Sequence, residues 1–178
     1  MKDSNINFHL MSAFKGAMEF FTSQAKKRTN TFRLMEGMVI VDYACGPGYY
    51  AIEYAKVVGN CGKVYAVDIQ PIAVKSIQQK SAKLGIHNIE AILATGYVCP
   101  LKNEVADIVT ALDVFFMIDD PTAFLNELSR ISKPNGILIL DDGHQSRIKT
   151  KEKLRQANIW EIAEETKDHI KCRKIFLN

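Results

Sequence analysis

A chain of 178 residues, 47% of them hydrophobic, can bury the core of one compact domain without disulfide or metal staples. Its 23 basic and 20 acidic side chains leave an excess too small to argue for nucleic-acid binding, and no apolar stretch is long enough to span a bilayer. Cys45, Cys61, Cys99 and Cys172 are scattered without a C-x-x-C pair or histidines at ligand spacing, so neither a metal site nor a disulfide framework is expected, and a reduced, cytoplasmic setting fits best.

The first element in chain order is an amphipathic helix over residues 11–27. Met11, Phe14, Met18, Phe21 and Ala25 recur at three- and four-residue spacing and share one face, which either packs on the core or closes over a ligand. Lys2, Asp3, His9, Lys15 and Glu19 interrupt the apolar residues and exclude a secretory signal. Strands are expected at 38–42, 63–67, 88–93, 106–111 and 136–141, and helices at 48–58, 71–84, 121–132 and 147–157. Ile159 to Glu165 and Ile170 to Phe176 read as a closing antiparallel hairpin. Apolar strands alternating with helical stretches, without repeats or linkers, define an α/β fold: one doubly wound, mainly parallel sheet with helices on both faces.

The chemistry concentrates after the first strand. Val39-Ile40-Val41-Asp42 runs into the turn Tyr43-Ala44-Cys45-Gly46-Pro47-Gly48 and then a helix. Glycines let the backbone approach a ligand where a Cβ would clash, and free N–H groups at a helix start favour an anion. Asp68 ends the second apolar run about 20 residues later, where a carboxylate can accept both hydroxyls of a ribose. Gly46-Pro47-Gly48-Tyr49-Tyr50-Ala51 also satisfies the dinucleotide form G-x-G-x-x-A, so NAD competes. Asp42 decides: a carboxylate there repels a pyrophosphate but can receive the cationic amino group of a methionine moiety.

Asp42, Cys45, Gly46, Gly48 and Asp68 match the D-x-x-C-G-x-G turn and strand-end acid of the class I S-adenosylmethionine-dependent methyltransferases, and the chain resembles the small-molecule, UbiE-like members of that family. The likeness continues through Cys99-Pro100-Leu101 and through Arg130 to Gly136, similar to the family's R-x-L-K-P-G-G, with Asn135 in place of a glycine. Asparagine tolerates left-handed geometry, so that turn is expected to survive. The resemblance implies a Rossmann-like sheet of seven strands with an antiparallel C-terminal strand. It implies S-adenosylmethionine held by Asp42, Ala44, Cys45, Gly46, Gly48, Asp68, Ile69, Thr95, Gly96 and Leu112, with no metal. Thr95 stands where the family commonly has an acid for adenine, so backbone N–H groups near Gly96 and Tyr97 are expected to take its place. One domain over 1–178 follows, with a helical lid at 1–35, a cofactor core at 36–145, and a helix and hairpin at 146–178 that complete a minimal domain.

A sulfonium methyl group is already electrophilic, so the protein must align an acceptor opposite the sulfur and exclude water. Bases for acceptors that must lose a proton belong at the carboxyl ends of strands four and five. Asp113 stands there, although a solvated or capping acid is the blander reading. His144 follows Asp141 and Asp142 after strand five, and histidine side chains titrate near neutral pH. Phe115, Phe116 and Met117 either line an acceptor pocket or belong to the core. Tyr43, Tyr49 and Trp160 share that ambiguity, Cys45 reads as a packed side chain, and Arg147 to Lys151 as a solvated helix face. The expected partner is a small-molecule methyl acceptor, without nucleic acid or membrane, in a chain free to form a homo-oligomer. An NAD(P)-dependent oxidoreductase and a non-catalytic S-adenosylmethionine-binding protein remain the other readings.

Overall fold

The computed structural model describes residues 21–176. Met11, Phe14 and Met18 of the N-terminal stripe, with residues 1–20 of the expected lid, lie outside the described residues; Phe21 and Ala25 lie on a helix that we label α1 (residues 21–29). The other helices are α2 (Tyr49–Val58), α3 (Pro71–Leu84), α4 (Pro121–Ile131) and α5 (Arg147–Ala157). The strands are β1 (Val39–Tyr43), β2 (Lys63–Asp68), β3 (Ile89–Leu93), β4 (Ala106–Ala111), β5 (Ser132–Leu140), β6 (Trp160–Glu165) and β7 (Ile170–Lys174).

These segments start and stop for local reasons. α3 opens on Pro71, whose missing N–H costs nothing in a first turn, and ends at Gly85, left-handed at φ 66°. α4 is capped by the Asp120 carboxylate, which accepts from the Ala123 N–H at 2.9 Å, and α5 by the Ser146 hydroxyl, which accepts from the Lys149 N–H at 3.3 Å.

The seven strands form one sheet in the order β3-β2-β1-β4-β5-β7-β6. β7 runs antiparallel to both its neighbours and the other pairings are parallel, as the sequence led us to expect. Side chains alternate across the sheet, so β1 sends Ile40 to one face and Val41 to the other. Ile40 meets Tyr54, Ile77, Ile108 and Ile139 in one core, while Val41 meets Phe124, Leu125, Leu128 and Trp160 in the second. Tyr43, Phe115 and Trp160 are therefore core residues, and Trp160 donates its indole N–H to the Leu125 carbonyl at 3.1 Å.

One expected turn is not made. The stretch through Asn135 and Gly136 belongs to β5, which begins at Ser132 rather than near 136, and neither residue has a positive φ. Pairing of Ser132 with Ala106, followed by a register shift before Ile108, draws the segment into the sheet. Gly136 is needed there for close approach: a Cβ would overlap the Ser132 hydroxyl and lie 3.0 Å from the Ala106 carbonyl oxygen.

The chain leaves β1 for β2 on one side and returns through β4 on the other, so the carboxyl ends of β1 and β4 flank the point where strand order reverses. The backbone diverges there and leaves a crevice, the place where open α/β sheets bind ligands.

Candidate active site

The crevice is a cavity of about 650 Å³ lined by Phe21, Gln24, Arg28, Asp42, Ala44, Cys45, Gly46, Pro47, Tyr49, Tyr50, Leu112 and Asp113. Its floor is the turn between β1 and α2. Ala44, Gly46 and Gly48 all have positive φ, at 59°, 51° and 82°. A Cβ on Gly48 would stand 2.5 Å from Ile77 Cγ1, so this position needs glycine for space as well as for backbone angle. Gly46 has open space beside it and gives its N–H to Asp68 Oδ2 at 2.8 Å. Asp68 Oδ1 accepts from the Gln70 N–H, also at 2.8 Å. Each oxygen keeps further lone pairs for ribose hydroxyls.

Asp42 is 2% exposed. Its Oδ1 accepts from the Thr110 hydroxyl at 2.9 Å, across the β1–β4 pairing, while Oδ2 is buried without a hydrogen-bond partner. Burial, with the Asp68 charge, raises its pKa to about 7, against the opposing Thr110 hydroxyl and the Ala51 backbone N–H nearby. A buried carboxylate oxygen without a hydrogen bond, on a residue that lines a cavity, is costly unless a ligand cation completes it. Cys45 is buried and its thiol pKa is raised, first by burial and then by the charges of Asp42 and Asp68, so it stays protonated and packs.

Arg28 gave no signal in the sequence, because its partners lie up to 140 residues away. From α1 it donates to the Tyr50 hydroxyl (2.9 Å), Asp141 Oδ2 (2.7 Å) and the Asp168 carbonyl (3.0 Å), and it stands 3.9 Å from Asp113 Oδ2. Its Nε is buried without a partner. Its pKa is raised: the hydrogen bond and charge of Asp141, with Tyr50, overcome the burial that acts to lower it. A buried guanidinium N–H and a buried carboxylate oxygen, both unpaired and both on residues lining one cavity, suit the two ends of a zwitterionic amino-acid head group.

Asp113 lines the same cavity beyond β4. It is left-handed at φ 54°, and its N–H is held by Asp141 Oδ1 at 2.8 Å. Its side chain is 69% exposed; what burial it has and the nearby Asp141 charge raise its pKa, with Arg28 opposing. A shallower cavity of about 280 Å³ adjoins Arg28 and Asp113, lined also by Asp141, Asp142, Gly143, Lys167 and Asp168.

Of the residues singled out from sequence, the structure brings Asp42, Ala44, Cys45, Gly46, Leu112 and Asp113 onto one cavity. Gly48 and Asp68 are not among its lining residues, although Asp68 accepts from the N–H of Gly46, which is one of them. Ile69, Thr95 and Gly96 lie outside it, on the open side next to Asp68, and the Thr95 N–H is taken by the Val98 carbonyl at 2.9 Å. His144 is exposed, with its ring edge-on to Phe116 at 4.8 Å, and lines neither cavity. Met117 is exposed, and Tyr49 is a cavity wall. The expected solvated face at Arg147 is instead an ion-pair junction, with Asp142 at 2.8 Å and Glu165 at 3.1 Å, because the β6–β7 hairpin folds back beside α5. Among the described residues no His, Cys, Asp and Glu group suits a metal ion, and no helix is long and apolar enough to cross a membrane.

Residues 34–174 match the family model described as a methyltransferase domain, and the chain belongs to that family. The demethylmenaquinone methyltransferase of Geobacillus stearothermophilus is 30% identical over 122 residues, which are 67% of this chain and 52% of the relative. The chain thus spans about half the length of that relative. A crystal structure of an S-adenosylmethionine-dependent methyltransferase from Aquifex aeolicus superposes with a TM-score of 0.79 at 26% identity, covering 85% of this chain and 89% of that one. The cyclase SpnF superposes with a TM-score of 0.66 at 21% identity, covering 80% of this chain and 57% of that one, a likeness in fold alone. The fold is therefore that of the class I methyltransferases, and the cofactor of the domain is S-adenosylmethionine.

Proposed function

We propose that this chain transfers a methyl group from S-adenosylmethionine to a small-molecule acceptor bound at the carboxyl edge of β4 and β5. The observation that carries the reading is buried Asp42, whose Oδ2 has no hydrogen bond, among the residues that line a cavity floored by the glycine turn. A dinucleotide would bring pyrophosphate oxygens to that carboxylate, which repels them; an ammonium completes it. The quinone chemistry in the name of the Geobacillus relative supports a small acceptor.

Bound S-adenosylmethionine supplies an electrophilic methyl on a sulfonium, so the chain has to bind, orient and keep water out. Asp42 takes the cofactor's ammonium, and Arg28 Nε the carboxylate beside it. Asp68 accepts from the ribose, and Gly46 and Gly48 keep side chains out of the way. Phe21, Tyr49 and Tyr50 wall the cavity against water. Asp113 is the base for an acceptor that must lose a proton: partial burial and the Asp141 charge raise its pKa, and its backbone N–H is held by Asp141. His144 reaches the reaction only if the acceptor extends past Phe116. We take residues 1–178 as one domain in which the segment before β1 covers the cofactor.

Calorimetric titration with S-adenosylmethionine, S-adenosylhomocysteine and NAD tests the reading, with Asp68→Ala as the site control. Binding of the first two, lost in the variant, is expected. Binding of NAD alone refutes it.

A further inference from the structure

The proposed reading gives α3 no part, yet α3 presses on the cofactor turn at two points. Ile77 occupies the space beside Gly48. Three residues on, along the same helix face, Lys80 donates from Nζ to the Pro47 carbonyl at 2.6 Å. The same ammonium stands 4.5 Å from the centroid of the Tyr49 ring, and Tyr49 stacks on Phe21 with centroids 5.6 Å apart and planes 21° from parallel. Pro47, Tyr49 and Phe21 all line the cofactor cavity, whereas Lys80 lines a second cavity of about 330 Å³ behind the turn, together with Lys56, Lys83, Ile52 and Leu84.

The Pro47 carbonyl sits between Gly46 and Gly48, both of positive φ; the N–H of the same peptide, on Gly48, donates to the Cys45 carbonyl at 3.0 Å, and Lys80 holds the opposite end of that peptide plane. A charged donor on that carbonyl is a strong local restraint. Burial lowers the Lys80 pKa from the ordinary lysine value, the mark of an ammonium with reduced hydration, and contacts of such an ammonium to a carbonyl and a ring face count for more than those of a fully solvated lysine. Lys56, by contrast, pairs with Glu53 at 2.5 Å on its own helix.

We propose that Lys80 is a positioning residue for the cofactor, which sets the plane of the Pro47 peptide and anchors the Tyr49–Phe21 wall from behind the turn. The proposal rests on the S-adenosylmethionine reading of the front cavity. It makes affinity for the cofactor depend on a side chain that lies outside that cavity.

S-adenosylhomocysteine binding by calorimetry tests it in four proteins: wild type, Lys80→Met, Lys80→Arg and Lys83→Met. Lys80→Met is expected to bind about tenfold more weakly while its ligand-free melting temperature stays within about 2 °C of wild type. Lys80→Arg should stay within about twofold of wild type, because a guanidinium can both donate to the carbonyl and stack on the ring. Lys83→Met, which removes a charge from the same rear cavity, should leave affinity unchanged. Wild-type affinity in Lys80→Met overturns the proposal, as does an equal loss in Lys83→Met or a loss that only tracks a fall in melting temperature. If Lys80→Met does not fold, Lys80→Gln is judged by the same criteria. A wild-type protein that binds no S-adenosylhomocysteine removes the cofactor reading and the proposal with it, an outcome visible before any variant is made.

Discussion

The two sides of the crevice are built on different principles. The donor side, from Asp42 through Gly48 to Asp68, is made by backbone within 27 residues: three positive-φ positions, N–H groups turned onto a carboxylate, and a strand-end acid. The other side is made by long-range contacts among four distant segments: the side chains of Arg28 on α1, Asp113 after β4 and Asp141 after β5, and the Asp168 carbonyl in the β6–β7 hairpin. A backbone site admits little variation without breaking the turn, whereas a side-chain site can change chemistry one residue at a time on an unchanged sheet.

Four measurements can break or sharpen the contrast. The largest effect is expected from Asp42→Ala, which leaves the cofactor ammonium without its buried partner: affinity for S-adenosylmethionine should fall about 100-fold or more by calorimetry. A loss under tenfold would mean that the donor side does not depend on this carboxylate.

Next comes Arg28→Ala, which leaves Asp141 buried and uncompensated. It should cost about 2–3 kcal/mol in denaturant unfolding, and Arg28→Ala with Asp141→Asn should recover part of that loss. Additive losses would show that the pair is not coupled.

The third is a pH series. Asp42 has a folded-state pKa raised to about 7, so in the ligand-free protein it is largely protonated below that pH. Ammonium binding requires the ionised form, so affinity should fall by up to about tenfold per pH unit below 7, and Asp42→Asn should flatten the slope. The stability sign runs the other way. The raised pKa stabilises the ligand-free fold fully below the ordinary carboxylate value and no longer as pH rises through about 7, so unfolding free energy should decline over that window in wild type relative to Asp42→Asn.

The smallest effect is expected from His144→Ala. Cofactor affinity should change by less than about twofold, since the ring lies outside the cavity. A larger change would extend the site past Phe116. Turnover of that variant, once an acceptor is found, separates a role in catalysis from none.

Local chemistry was legible in the sequence and long-range pairing was not. Gly46, Gly48 and Asp68 betray themselves because a positive φ and a strand end are properties of a few consecutive residues. α3 and α5 were read to the residue for the same reason: Pro71 and Gly85 punctuate one, and Ser146 caps the other. Arg28 looked like any lysine- and arginine-rich helix end, and Arg147 like a solvated face, because their carboxylate partners are set by topology. The turn expected at Asn135 went astray where tertiary pairing with Ala106 overrode local preference.

The clasp around Arg28 also carries a consequence for the order in which the molecule comes into being. During synthesis the glycine turn has its partners as soon as β2 and α3 have emerged, since Gly46, Asp68 and Ile77 lie close along the chain. Arg28 must wait for Asp141, 113 residues on, and for Asp168, 140 residues on. A nascent chain therefore owns its glycine turn long before the Arg28 clasp can close, and α1, although made before that turn, finds its place after it.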